Sequence, residues 1–370
     1  MTGSAMTTEI RVRRDNLRET SVATRALPPL ENGQVLVHVE RFALTANNVS
    51  YGLTGDMIGY WRFYPTQDPW GVIPVWGFAD VIESRCDAIA VGERIWGFLP
   101  MASHAVLSPA SVRADSFVDD TPHRRDLPPV YNQYRRTSAE PADMKKWDDA
   151  RCLYVPLFST AFILTDWLED NRWFGAKQVL IGSASSRTGF GLADLLSRVP
   201  GHPVRVIGLT SKPNEAFVRS LGTCDEVVTY DNVATLDPSV PSAFVDMSGS
   251  ASLLSAVHGH FQDRLGVSCQ VGATHWDDSR RPHELPGPVP QFFFAPTQII
   301  KREQEWGPGE LLRRAMVESL RIVAAIAPTM RIAHVRGPEA CRTALDEMVA
   351  GRTPPTTGVI LALDGTTAAP

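Results

Sequence analysis

The residues best placed to do chemistry lie in Val179-Leu180-Ile181-Gly182-Ser183-Ala184-Ser185-Ser186-Arg187-Thr188-Gly189-Phe190-Gly191. This stretch reads as a buried strand, a turn of small residues and a helix start. In that arrangement helix N-terminal amides meet a dinucleotide pyrophosphate. Ser and Ala stand where a strict G-x-G-x-x-G has Gly, so a plain strand-to-helix turn would read similarly. Small side chains still let a ligand approach the backbone, and the hydroxyls of Ser183, Ser185, Ser186 and Thr188 could add phosphate hydrogen bonds.

The next strand sharpens the reading. It ends in Val206-Ile207-Gly208-Leu209-Thr210-Ser211-Lys212. An Asp or Glu here would hold the ribose hydroxyls of NAD. Thr210, Ser211 and Lys212 instead offer hydroxyls and a cation, which suit a 2′-phosphate, and Arg187 could bring a second cation. The expected cofactor is therefore NADP(H); a solvated turn lysine is the plainer reading of Lys212. Two later strand ends add polar groups: Val245-Asp246-Met247-Ser248-Gly249 and Val271-Gly272-Ala273-Thr274-His275-Trp276. Ligands of doubly wound sheets bind beyond the carboxyl ends of the strands, so Ser248 and Gly272 are expected near the cofactor. His275 either faces the nicotinamide or substrate, or is a surface histidine in a loop.

These segments need a scaffold, and the hydrophobic rhythm supplies one. From Cys152 to Phe294, short apolar strands alternate with helical patterns. Strands are expected at Gln178–Ile181, Val204–Leu209, Glu226–Thr229, Ala243–Met247, Val267–Val271 and Phe292–Ala295. Helices are expected near Ser159–Glu169, Gly191–Val199, Glu215–Leu221 and Ala251–Phe261. The pattern implies a parallel, doubly wound α/β sheet covered on both faces. From Glu9 to Ala114 the hydrophobic period is two, as in Gln34–Val39 and Val75–Ile82, which suggests a β-rich, barrel-like unit. The first residues, Met1 to Glu9, are polar and read as a loose end. Residues 115–150 read as a long polar loop holding Tyr131 and Tyr134, which either wall a substrate pocket or pin the loop down. Trp61–Tyr64 reads as packing with Arg62 available to an anion, and Lys301–Trp306 as a solvated helix edge. After Thr297 a helix is expected over Gly309–Ala325, with strand-like pieces at Arg331–Val335 and Gly358–Leu363.

Composition bounds the function. With 370 residues, 44% hydrophobic and 21% charged, the chain reads as a globular protein of two domains. A net charge of −5 argues against a nucleic-acid partner. No stretch approaches the ~20 apolar residues of a membrane span. Five dispersed cysteines (Cys86, Cys152, Cys224, Cys269, Cys341) suit free thiols in a reducing, cytoplasmic setting.

The order of barrel-like part, Rossmann-like middle and short return resembles the medium-chain dehydrogenase/reductase superfamily. Within it the chain is most similar to the DUF2855 family, through Ala43–Tyr51, Pro74–Ala79, Tyr131–Tyr134, Ser183–Thr188 and Phe294–Gln298. The resemblance implies a GroES-like catalytic domain over 1–155, a Rossmann NADP-binding domain over 156–298 and a return to the catalytic domain over 299–370. Zinc-dependent members carry Gly-His-Glu and a cysteine cluster. Here the corresponding stretch is Trp76-Gly77-Phe78-Ala79, and no bound metal is expected.

Zinc-free quinone and enoyl reductases bring an Asn near the start of a first-domain helix to the nicotinamide, sometimes with a Tyr. Asn47 or Asn48, with Tyr51 one turn on, resembles this. Tyr51 could then bond a carbonyl or donate a proton; alternatively the Asn is a helix cap and the Tyr is packed. The expected activity is NADPH-dependent reduction of an activated C=C or C=O of a small organic substrate in the interdomain cleft, by Tyr51, Asn47, Tyr131 and His275. The alternatives are a redox-neutral lyase or isomerase and a non-catalytic NADPH-binding accessory protein. Superfamily habit implies a homodimer.

Overall fold

The computed structural model describes residues 5–272 and 285–364. The chain forms two compact units, one of Met1–Leu153 with Met330–Pro370 and the other of Tyr154–Thr329.

In chain order the first unit holds strands β1 (Met6–Arg13), β2 (Asn16–Ala26) and β3 (Val35–Leu44), then helices α1 (Ala46–Leu53) and α2 (Gly55–Ile58). There follow β4 (Trp70–Gly71), β5 (Pro74–Ser84), β6 (Arg94–Pro100), β7 (His104–Leu107), β8 (Pro109–Ala110), β9 (Ser116–Asp119) and β10 (Gln133–Arg136). Helix α3 (Asp148–Asp170) leads into the second unit. That unit continues with β11 (Gln178–Gly182), α4 (Arg187–Ser197), β12 (Arg205–Thr210), α5 (Glu215–Leu221) and β13 (Glu226–Thr229). It is completed by β14 (Ser242–Asp246), α6 (Ala251–Phe261), β15 (Leu265–Gln270), β16 (Gln291–Phe292), α7 (Ala295–Trp306) and α8 (Glu310–Ile326). The chain then returns with β17 (Arg331–Arg336), α9 (Pro338–Val349) and β18 (Thr357–Ala362).

The first unit is β-rich because its strands alternate. In β3, Val37 and Val39 are buried while His38 and Glu40 are half-buried, the period-two pattern of a half-buried strand, although Leu36 is buried as well. One sheet runs β17-β18-β3-β5-β6-β10-β9-β8 with β7 also paired to β3, and a smaller one runs β2-β1-β4. The second unit is a parallel sheet in the order β13-β12-β11-β14-β15-β16. That is the doubly wound order, with its switch point between β11 and β14. Strand residues Leu180, Ile207, Leu209 and Phe244 pack with Leu253, Val257 and Phe261 of α6 in one core. The fold is thus a GroES-like β-barrel-type domain plus a Rossmann domain.

The structure departs from the sequence reading in four places. From Met6 on, the polar start is strand β1 and not a loose end. Thr7 and Glu9 are each 1% exposed, because Thr7 bonds the His104 carbonyl and Glu9 accepts from Arg11 and Arg25. Residues 115–150 are not a loop: β9 and β10 pair with each other, and β10 with β6. Polar side chains hid these strands, since several ion-pair instead of packing. Helix α3 begins at Asp148, where two acids favour a helix N-terminus, and continues through Pro156. The return begins at Met330, not 299, because α7 and α8 belong to the second unit. Lys301 and Arg302 pair there with Asp170 and Asp166 of α3, so this run is not merely a solvated edge.

Candidate active site

The turn after β11 is built by exclusion of bulk. A Cβ on Gly182 would stand 2.3 Å from Asp246 Oδ1, and one on Gly189 would stand 2.4 Å from the Ser183 carbonyl oxygen. Ser183 takes φ 57°, a left-handed conformation that glycine favours and a serine adopts at some cost. It hydrogen-bonds Tyr230, whose hydroxyl burial pushes up to about 12. Ser186 is the α4 N-cap, its Oγ accepting from the Gly189 amide at 3.1 Å. Arg187 and Thr188 occupy the first turn, where helix amides lack intrahelical acceptors. The Arg187 guanidinium lies 5.7 Å from the Tyr154 ring centre and bonds that side chain.

The adjacent strand end meets this turn. Asn214, which sequence reasoning missed, donates from Nδ2 to Ser185 Oγ at 3.2 Å. Thr210 is fully buried, and its Oγ1 has no hydrogen-bond partner among the described residues. Ser211 is half-buried ahead of Lys212. The Lys212 side chain is 79% exposed and pairs with Glu215 at 2.7 Å. Glu215 also takes Arg219 at 2.9 Å, so the local charge of the three is one positive.

Asp246 closes β14 at the switch point and is wholly buried. Burial pushes its carboxyl up to about 6, against the Ser248 hydroxyl and the Ser248 and Gly249 amides that bond it. Ser248 is therefore turned inward, its hydroxyl donating to Asp246 at 2.6 Å. Gly272 is half-buried beside the Met247 backbone. His275 lies outside the described residues.

The first unit gathers hydroxyls. In α1, Thr45 is the N-cap and Asn48 completes the cap, its Oδ1 accepting from the Thr45 amide at 2.8 Å while Nδ2 donates to the Pro74 carbonyl. Asn48 is thus structural. Asn47 is half-buried and bonds Tyr51 one turn on, where the Trp76 indole also donates at 3.2 Å. Tyr51 packs on Tyr60 with ring centres 4.4 Å apart, and Tyr60 Oη meets Tyr131 Oη at 2.9 Å. Phe98 lies under Tyr131, at 4.6 Å between centres. Burial raises all three phenols, Tyr51 and Tyr60 well above the usual value, so they stay protonated at neutral pH. Tyr60 and Trp76 were missed because nothing in the local pattern distinguishes them from core aromatics.

A buried cation holds Tyr131 in place. Arg124 is 1% exposed, 2.9 Å from the equally buried Asp119. It donates to Asn132 Oδ1, to the Tyr64 and Tyr134 hydroxyls and to the Tyr131 carbonyl, at 2.9 to 3.2 Å. Tyr134 therefore belongs to the scaffold and Tyr131 to the hydroxyl cluster. Arg62 pairs with Asp126 on the surface.

The second unit's residues fit a dinucleotide. The turn has no room for a side chain at Gly182 or Gly189, the donors are hydroxyls, amides and cations, and the Thr210 hydroxyl is buried without a partner among the described residues. Among the described residues no three His, Cys, Asp or Glu stand close enough to hold a metal ion, and no helix is long and apolar enough to cross a membrane.

Comparison with solved structures identifies the fold. CurA from Vibrio vulnificus, crystallised with NADPH, superposes with a TM-score of 0.62 at 12% identity, over 98% of this chain and 100% of its own. The mycobacterial protein Rv1454c, complexed with NADPH, gives 0.55 at 17% identity over 96% and 99%. The yhdH oxidoreductase from Salmonella enterica, in complex with NADP, gives 0.53 at 14% over 97% and 100%. At such identities the likeness is one of fold, that of the medium-chain dehydrogenase/reductase proteins. No curated protein matches the sequence. The model of a protein family of unknown function, DUF2855, matches residues 42–354, and the chain belongs to that family.

Proposed function

We propose that the protein is an NADPH-dependent reductase of an activated C=C or C=O in a small organic molecule, working without a metal. The observation that carries this is the small-residue turn Gly182–Gly189 at the sheet's switch point, beside a strand end that bears Thr210, Ser211 and Lys212 and no acid. Bound there, NADP(H) supplies a hydride. The amides of Arg187 and Thr188 and the small hydroxyl side chains of the turn hold the pyrophosphate. Lys212 holds the 2′-phosphate; its exposed pairing with Glu215 is worth little in water and yields to a doubly charged anion.

Tyr51, Tyr60 and Tyr131 keep their protons at neutral pH and act as donors to a substrate oxygen, with Asn47 and Trp76 fixing the Tyr51 hydroxyl. The enzyme is read as a homodimer, which sedimentation tests.

Calorimetric titration with NADPH, NADP⁺, NADH and NAD⁺ tests the reading, repeated on Lys212→Ala. Tight binding of the phosphorylated pair is expected, weakened roughly tenfold to hundredfold in the variant, with NADH little changed. Enones, quinones and aldehydes are then screened for NADPH oxidation. No binding of any nucleotide would overturn the proposal.

A further inference from the structure

The first unit contains a cavity of about 390 Å³ that the proposed reaction does not use. Its lining is part polar and part apolar; of the apolar side chains Leu27, Phe63, Ala102 and Ala105 are buried, and Val106 and Pro28 are more exposed. The volume is within the range of small-molecule sites.

Two acids and two guanidiniums line the cavity, and one of the acids also serves a guanidinium outside the lining. Asp119 and Arg124 neutralise each other at 2.9 Å. The Glu9 carboxylate, by contrast, serves two guanidiniums, accepting from Arg11 Nε at 2.6 Å and Arg25 Nε at 3.0 Å, with Thr66 Oγ1 at 3.2 Å. One positive charge is left over. It is shared by Arg11 and Arg25, of which Arg25 lines the cavity; its side chain is 40% exposed and its Nη1 and Nη2 make no hydrogen bond among the described residues. A guanidinium edge of two free nitrogens matches a carboxylate.

A second donor stands beside it. Thr7 is the register partner of Arg25, and its Oγ1 donates to the His104 carbonyl at 3.1 Å; the His104 ring lies 5.2 Å from that of His38 and lines the same cavity as Arg25. His104 Nδ1 is 2.9 Å from Ser103 Oγ. The Ser103 hydroxyl is buried and has no other acceptor among the described residues, so its hydrogen goes to Nδ1 and the imidazole proton is placed on Nε2. Nε2 has no partner among the described residues. Burial lowers the His104 pKa, so the ring is a neutral donor at neutral pH.

We propose that this cavity is a separate binding site for a small monocarboxylate with an apolar body. The Arg25 guanidinium and His104 Nε2 take the carboxylate, and Leu27, Phe63 and Val106 enclose the body. None of its residues belongs to the nucleotide turn, so it does not depend on nucleotide binding, although Phe63 and Arg124 of its lining also contact Tyr131.

Saturation-transfer NMR on the full chain tests this with benzoate and hexanoate, each paired with its alcohol, benzyl alcohol and 1-hexanol. The acids are expected to bind saturably and at least tenfold more tightly than the alcohols, with or without saturating NADPH. Arg25→Met should abolish that preference and Arg25→Lys should retain part of it; Arg25→Met also takes one of two guanidiniums from the buried Glu9, so its melting temperature should fall while the circular dichroism of the folded chain stays that of the parent. Failure of the acids to bind, equal binding of acid and alcohol, an undiminished preference in Arg25→Met, or displacement by NADPH would overturn the proposal. A failed nucleotide titration would leave it standing.

Discussion

The two halves of the candidate machinery are built in opposite ways. In the second unit the site is a backbone feature. Eight consecutive residues, Gly182–Gly189, make the turn, and what matters is that side chains are small enough to stay out of the way. In the first unit the site is made of large side chains drawn from α1, β5 and the segment before β10, and it exists only because a buried cation ties Tyr131 to Tyr64, Tyr134 and Asp119. A site made of backbone tolerates wide change in sequence, and the fold is indeed shared with structures at 12–17% identity. A site made of interlocked side chains fails as a unit when one member is lost.

The sharpest way to break that contrast is Arg124→Met. Asp119 would be left as a buried carboxylate without its cation, and the Tyr131 carbonyl, Asn132 and two tyrosine hydroxyls would each lose a donor. The expected cost is about 3–5 kcal/mol of stability, read from urea unfolding. If the variant is too unstable to purify, Arg124→Met with Asp119→Leu should recover a measurable part, since a matched apolar pair leaves no orphan charge. Nucleotide binding by the second unit should survive in any folded form. An unchanged unfolding midpoint in Arg124→Met would show that the network is not a scaffold.

A smaller effect separates the units by pH. Asp246 titrates in the fold near 6, above an ordinary aspartate near 4 in the unfolded chain, because burial penalises its charge. Between these values the folded state holds the proton and the unfolded state has lost it, so this group's contribution to stability falls as pH rises from about 4 to 6. The full difference is on the order of 3 kcal/mol. Asp246→Asn removes the titration. Subtracting its unfolding free energy from that of the parent at pH 4, 5, 6 and 7 should give a curve that falls with pH and levels off above 6. A flat difference would refute a raised Asp246.

How much was legible follows the same division. The parallel sheet and the turn were readable because each depends on neighbours in sequence: apolar runs, small residues and a missing acid after β12. Asn48 was separable from Asn47 only in three dimensions, where its Oδ1 is found capping Thr45. The strands in 115–150 were illegible because Asp119 and Arg136 are held by ion pairs with Arg124 and Glu93, contacts with partners that local periodicity cannot foresee. Lys212 was found at the right strand end, but its pairing with Glu215 was not. The second chain boundary was misplaced by the helices α7 and α8, whose amphipathic pattern says that they pack but not on which unit.

The smallest test asks whether the hydroxyl cluster does more than pack. Tyr131→Phe keeps the ring on Phe98 and removes one oxygen, leaving Tyr60 Oη without its 2.9 Å partner. As a structural change this is worth roughly 1–3 kcal/mol, since it leaves the buried Tyr60 hydroxyl without that partner. A purely packed tyrosine would therefore show that loss in urea unfolding and nothing else. If the cluster donates to the substrate, NADPH affinity should be unchanged while the rate of NADPH oxidation with the best substrate falls, roughly tenfold for one lost donor. Equal rates in the variant and the parent would return Tyr131 to the scaffold, beside Tyr134, and leave Tyr51 and Tyr60 as the donors to examine.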